Sequence, residues 1–395
     1  MKTPFIMNIL SRFIIQIANA LFIIASLSTF LLSSSCGLKT KDEKAEWIKE
    51  TDGRTGREVW QITSHDSASE ACYFEAQAFT HDDKYMVFSS KRTGEWQFYR
   101  CDLATGSLKQ LTSVENLSLR YTMHPDGERI LYIDGQALCA IDVYDLSIDT
   151  LMDLQGSGLI KPQIANSFSA DGRYALVNSR SDSGMSIYRA DLTSNRMEHV
   201  LTWAGGRYSH ALINPVYPHL VTFVPYPDTQ NDMSLPMDQR ARTWIANMKT
   251  GEKKQFLTCP YGFRATHESW SPDGEKFFFY KKSVPGWMPV SIVSISKDGN
   301  DWQEYYTNDT IRLGHGRSSE DGKCFISDGQ DPGHNPLILL NLETGDPEFL
   351  CWADASIREG HSKHAHVHPS FSSSGKFITY TSDRTGTPQV YVVPL

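Results

Sequence analysis

The stretch WSPDGEKFFF, residues 270–279, decides the fold because the chain repeats its pattern along most of its length. An apolar residue, two spacers and an Asp-Gly turn lead into an apolar run, the signature of a hairpin joining two short strands. The other copies are FTHDDKYMVF (79–88), MHPDGERILY (123–132), FSADGRYALV (168–177), INPVYPHLVTF (213–223), SSEDGKCFIS (318–327) and FSSSGKFITY (371–380). Aligned on the turn aspartate or its equivalent they fall at 82, 126, 171, 216, 273, 321 and 374, so the spacings are 44, 45, 45, 57, 48 and 53. Each turn is followed by a second strand, a polar loop and a third strand such as QFYRCDL (97–103) or SIYRADL (186–192). A closing TG…LT strand such as TGSLKQLT (105–112) or TGEKKQFLT (250–258) completes the unit. Four short strands in about 45 residues make one propeller blade, and seven copies make seven blades.

The chain ends agree with a closed ring. The last unit stops at QVYVVPL (389–395) without a TG…LT strand, and that missing strand occurs at the other end as TGREVWQIT (55–63). The expected fold is therefore all-β, a seven-bladed β-propeller over residues 55–395 whose N-terminal segment supplies the last strand of blade seven. Such closure leaves no unpaired edge between the first and last blades.

Residues 1–35 have a different character. Lys2 and Arg12 precede an apolar run from about Phe13 to Leu32 that ends in LLSSSCG, the layout of a secretory signal peptide. Cys36, after the small residues, resembles the lipid-modified cysteine of bacterial lipoproteins. The expectation is a signal peptide over 1–35, a tether over 36–54 and a propeller body that is exported, in the periplasm or anchored at the outer membrane, touching the membrane only through this N-terminal lipid or anchor. The formal net charge is −8, and the leader carries only positive charges, so the body is more acidic still. An acidic surface excludes nucleic acid as the expected partner. Beyond Cys36 the cysteines are Cys72, Cys101, Cys139, Cys259, Cys324 and Cys351, none in CxxC spacing, which excludes a zinc ribbon or thioredoxin-type motif.

The repeat also serves as a ruler. In a propeller the strand before the Asp-Gly turn is innermost and lines the central channel. Three residues before each apolar anchor, blades one to three carry Ala76, Arg120 and Ala165, whereas blades four to seven carry His210, His267, His315 and His368. The chain has 13 histidines in 395 residues, so four at one slot point to a shared site on the axis. In SKHAHVHPSF (362–371), His364 and His366 stand at alternate positions before His368, on one face of an extended chain. Imidazoles without cysteine suit a divalent ion such as Zn²⁺ or Mn²⁺.

The loops between second and third strands lie on the side from which the innermost strands start. SSKRTGEW (89–96), NSRSDSGM (178–185) and SDRTGTP (382–388) carry Arg92, Arg180 and Arg384. The longest loop, PYPDTQNDMSLPMDQRAR (225–242), accounts for the 57-residue spacing, ends in Arg240 and Arg242, and is expected to act as a lid. Arginines around a channel mouth suit an anionic ligand, because guanidinium meets a carboxylate in a two-pronged fork.

Several stretches resemble the oligogalacturonate lyases, seven-bladed propeller enzymes of pectin breakdown: YFEAQAFTHDDK (73–84), YSHALINP (208–215), RARTW (240–244), THESWSPDG (266–274), LGHGRSSEDG (313–322) and HVHPSF (366–371). The resemblance implies cleavage of short galacturonate oligomers by β-elimination with a divalent ion, manganese first, zinc or calcium as alternatives. The family's three metal-binding histidines map onto His267, His366 and His368. Its fourth ligand, a glutamine, falls on Lys363, whose ammonium cannot ligate a cation, so His364 is the candidate in its place. The family's base maps onto His210 and its substrate arginine onto blade three, at Arg180. The export signal departs from the family, whose members act in the cytoplasm.

The chemistry fits the residues. β-Elimination from a uronate removes the proton on C5, which the adjacent carboxylate makes only weakly acidic. A cation on that carboxylate stabilises the charge that develops. His210 is the expected base, and His315 is expected to bind substrate or protonate the departing O4. Arg242, Arg240, Arg92 and Arg384 are the expected partners of the acidic oligosaccharide. Two alternatives remain from the sequence, a lyase for another uronate-containing glycan and a non-catalytic, sugar-binding propeller lipoprotein. A hydrolase-associated propeller is excluded, since no GxSxG elbow occurs and no length remains for a second domain.

Overall fold

Seven antiparallel sheets follow one another along the chain, as the seven copies of the turn predict. A computed structural model describes residues 44–395 except 116, 182–183, 205, 231, 237–238, 259–261 and 358–364. The signal-peptide reading of 1–35, Cys36, Lys363 and His364 lie outside the described residues.

The turns show why the motif recurs. In blades three, five and six a serine hydroxyl donates to the turn aspartate, at 2.5 Å for Ser169–Asp171 and Ser271–Asp273 and 2.7 Å for Ser319–Asp321. The same carboxylates accept the backbone N–H two residues on, so the turn is folded by its own side chains. The turns also stitch neighbouring blades, with Ala170 donating to the Pro215 carbonyl at 2.7 Å and Asn214 to the Gly274 carbonyl at 2.8 Å.

Ring closure follows the expected strand exchange. The last sheet contains Ser370–Phe371, Phe377–Ser382 and Gln389–Pro394 from the C-terminus, then Glu58–Gln61 from the N-terminus. Trp60 faces Val392 and Gln61 faces Tyr391, and the Thr63 hydroxyl donates to Gln389 at 2.6 Å. Residues Ile48–Thr51, inside the stretch read from sequence as a tether, add a fifth and outermost strand to this sheet. Trp47 packs edge-on against Trp60, and Glu46 pairs with Arg92 of blade one. The ring is thus fastened by segments on both sides of residue 55.

Between blades the core is apolar and aromatic, with Phe79, Phe88, Phe98 and Tyr99 fully buried in one cluster and Phe277, Phe279 and Val293 buried in another. Each fully buried side chain of this size contributes roughly 1.5–3 kcal/mol, which gives the inner strands a stiff support. Cys72, Cys101, Cys139 and Cys351 are buried and free, and Cys324 is partly buried and free, as small apolar packing residues.

Candidate active site

The four slot histidines meet on the axis. Ring centroids lie 5.9 Å apart for His210–His267, 4.3 Å for His267–His315 and 4.3 Å for His315–His368. Below them sits Phe74 of blade one, fully buried, with its ring 5.5–6.3 Å from all four imidazoles. Tyr73 packs against His368 at 4.6 Å. The Tyr73-Phe74 pair packs against the histidines on the axis.

A recurring backbone device aims these side chains. In blades four, five and six the pairing of the innermost strand slips by one residue, between Ser209 and Leu212, Thr266 and Ser269, and Leu313 and Gly316. Each bulge contains the slot histidine. A bulge breaks the alternation of a strand and re-aims one side chain. His210, His267 and His368 have φ of 47°, 54° and 46°, a left-handed conformation that costs roughly 1–2 kcal/mol for a residue with a Cβ. Three residues at one repeat position share that strain because the packing around them dictates it. His315 reaches the axis differently, between Gly314 and Gly316. A Cβ at Gly314 would overlap the Gln330 side chain, and one at Gly316 the Ile326 carbonyl.

Two of the histidines are held by carboxylates that sequence reasoning did not single out. His210 Nδ1 lies 2.5 Å from Glu75 Oε1. A carboxylate only accepts, so Nδ1 carries the proton of this bond, and in the neutral ring the lone pair is on Nε2. His315 Nδ1 lies 2.9 Å from Asp328 Oδ2, and the His315 backbone N–H donates to Asp328 Oδ1 at 2.7 Å. Asp328 is fully buried, and Gln330 lies against the same imidazole, 3.1 Å away at its closest. A signal for Asp328 was present, an acidic residue in the apolar strand Cys324–Gly329.

His315, His366 and His368 each present a ring nitrogen, all within 4.8 Å of one another, a spacing that one divalent ion can bridge. His366 and His368 stack at 5.4 Å and 14° just before the innermost strand of blade seven. His267 adjoins this group, and its buried Nδ1 has no hydrogen-bond partner. Burial first, then the charges of His315 and Lys282, push the His267 imidazole well below its ordinary value. Burial first, then His315 and His366, does the same for His368. Both rings are neutral near pH 7, the form that ligates a metal. An orphaned buried nitrogen, neutral imidazoles and a carboxylate behind His315 fit a late first-row divalent ion.

The arginines are distributed unevenly. Arg242 is buried between Glu268, at 2.8 Å, and Asp228, at 3.2 Å. Burial works against its charge, but Glu268 outweighs that and raises its pKa. Arg240 folds the long loop on itself by donating to the Leu235 carbonyl at 2.9 Å and the Met233 carbonyl at 3.2 Å. That loop is docked on blade five, where Gln230 accepts the Ala265 N–H at 2.9 Å. Arg92 pairs with Glu46 at 2.9 Å and lies over the Tyr99 ring. Arg384 pairs with Glu50 and lies over Tyr391. All four arginines are engaged by protein groups, and Arg242 is near enough to the cluster for its charge to add to burial in lowering the His267 pKa. Arg180 is exposed, in the same hairpin as Asn178 and Ser186, which accept from the Tyr208 hydroxyl. Arg120, the slot residue of blade two, lies 5.3 Å from the Tyr73 ring at the edge of the site.

No protein-family model matches the chain. Two curated relatives match at 24% identity over 383 residues, covering 86% of this chain and 94% of theirs. They are an oligogalacturonide lyase of Pectobacterium atrosepticum and an oligogalacturonate lyase of Dickeya dadantii. Among solved structures, an oligogalacturonate lyase in complex with manganese superposes with a TM-score of 0.76 at 23% identity, over 90% of this chain and 98% of that one. The resemblance read from the sequence is the one these relatives carry, and their fold is the fold described here.

Proposed function

We propose that this chain is a carbon–oxygen lyase that cleaves short, pectin-derived galacturonate oligomers by β-elimination, with His210 as the base. The observation that carries this reading is the division of labour among the axial histidines. Ring nitrogens of His315, His366 and His368 lie within 4.8 Å of one another, while His210 is paired through Nδ1 with Glu75, which leaves Nε2 for the substrate.

His315, His366 and His368 would hold a divalent ion, manganese by analogy with the relative, with His267 beside them. When bound, such an ion neutralises the uronate carboxylate and so makes the C5 proton easier to remove. His210 Nε2 takes that proton, and Glu75 stabilises the imidazolium that results. Electrons from the C–H bond form the C4–C5 double bond as the C4–O4 bond breaks, and O4 leaves with a proton from solvent, while the imidazolium of His210 returns its own proton to solvent after release. Arg180 and Arg120 supply positive charge at the mouth for the acidic chain. Asp328 fixes the ring of His315, which favours a ligand role for that residue over proton donation. We place the propeller outside the cytoplasm on the strength of Lys2, Arg12 and the apolar run ending at Cys36. Loss of lipid incorporation in Cys36→Ala tests that placement.

The function is tested by offering the purified protein and Mn²⁺ a panel of uronate oligomers and recording the ultraviolet absorbance of unsaturated product. Product from di- and trigalacturonate is expected. Product from another uronate alone would move the substrate assignment, and product from none would overturn the lyase reading.

A further inference from the structure

Beside the imidazole cluster lies a cavity of about 190 Å³, lined by Lys282, Trp287, Arg312 and Gln330. Gln330 is its shared wall, since the same side chain touches His315. Lys282 stands at the upper end of the second strand of blade five, Lys276–Ser283, and is only 5% exposed. Among the described residues no hydrogen bond or ion pair holds its ammonium, which lies 5.5 Å from the Trp287 ring and 5.9 Å from the Tyr280 ring. A buried lysine is ordinarily paired, and an unpaired one facing a cavity has its charge free for a ligand. Arg312 is mostly exposed and only loosely tied to Asp331, at 3.5 Å. Trp287 exposes 43% of its surface, a large apolar face at the rim of a polar cavity, and Arg264 lies 4.7 Å over its ring.

We propose that this cavity is a sugar subsite that takes the uronate unit next to the one cleaved, with Lys282 and Arg312 meeting its carboxylate and Trp287 stacking on its ring face. The inference rests on the lyase reading for the identity of the sugar, and it adds a specificity element that the imidazole cluster does not contain. An aromatic face buries the C–H surface of a pyranose without demanding a hydrogen-bond pattern, while the ammonium distinguishes an acid from its ester. The cavity suits one unit, so its contribution appears with chains of two or more.

The test is calorimetric titration of the purified protein with digalacturonate and with its dimethyl ester, in a His210→Ala background that does not turn the sugar over, alone and combined with Lys282→Met, Lys282→Arg or Trp287→Ala. Loss of one charge-assisted contact corresponds to roughly a 10-fold or greater fall in affinity. Lys282→Met is expected to weaken the acid by about that factor while leaving the ester unchanged, and Lys282→Arg is expected to retain most of the preference. Trp287→Ala is expected to weaken acid and ester alike. Equal losses for acid and ester in Lys282→Met, or no loss at all, would overturn the subsite. Melting temperatures and metal content, measured on the same samples, separate binding loss from misfolding. If carboxylate-selective binding depends on Lys282 but the protein with His210 intact forms no unsaturated product, the subsite stands and the lyase reading fails. If it forms product and Lys282→Met alone leaves the KM for trigalacturonate unchanged, the lyase reading stands and the subsite fails.

Discussion

The two halves of the ring use the same repeat position for different ends. In blades four to seven the slot is His210, His267, His315 and His368, and in three of them the backbone is driven into a left-handed conformation that aims the ring at the axis. In blades one and three the slot is Ala76 and Ala165, both buried. The Ala76 carbonyl accepts from Ser370 at 2.9 Å and from Arg317 at 3.3 Å, so blade one uses this position to close the ring against blades six and seven. Blade one then contributes Tyr73, Phe74 and Glu75 to the axis instead. One side of the ring carries the imidazoles, and the other supplies the aromatic rings packed against them and the Glu75 carboxylate behind His210.

The comparison can be broken most severely on the histidine side. Replacing His366 and His368 by alanine removes two of three grouped nitrogens. Bound metal is expected to disappear and product formation to fall on the order of 10³-fold, the equivalent of several kcal/mol of lost charge stabilisation, read by metal analysis and initial rates. Arg242→Met is expected to destabilise the fold by about 3–5 kcal/mol in urea unfolding, because it strands the buried Glu268 carboxylate. Asp328→Asn keeps the shape but loses the charge behind His315, and a 10- to 100-fold loss of metal affinity is expected by competition with a chelator. On the alanine side, Ala76→His would insert a ring where no space exists, at a cost of roughly 1–3 kcal/mol with no gain in metal binding.

A smaller effect sharpens the comparison through pH. The His267 and His368 pKa values are depressed in the folded protein, by burial first. Below the ordinary value of 6.5 the unfolded chain takes up protons that the folded site refuses. Stability of the chelated protein is therefore expected to fall as pH drops from 6.5 toward the depressed values, and to be flat for these groups above it. Melting temperature against pH checks this, and His267→Gln should flatten part of the slope.

The ring and its histidines were legible in the sequence because both are periodic. A repeat of short strands specifies blades, and a fixed offset from the turn specifies which residue faces the channel. The carboxylates were harder to find. Glu75 lies next to its slot and Asp328 on a second strand, so neither follows the offset that collects the imidazoles. The partners of the loop arginines were hidden for a related reason. Arg92 and Arg384 look alike from sequence, and their partners Glu46 and Glu50 lie 46 and 334 residues away. Only the closed ring brings them together.

The proposed mechanism requires His210 to be the base and not another ligand. The decisive measurement is product formation from digalacturonate by His210→Ala, with metal content determined on the same sample. No unsaturated product with the metal still bound is the expected result. Wild-type activity in that variant, or loss of the metal together with activity, would contradict it.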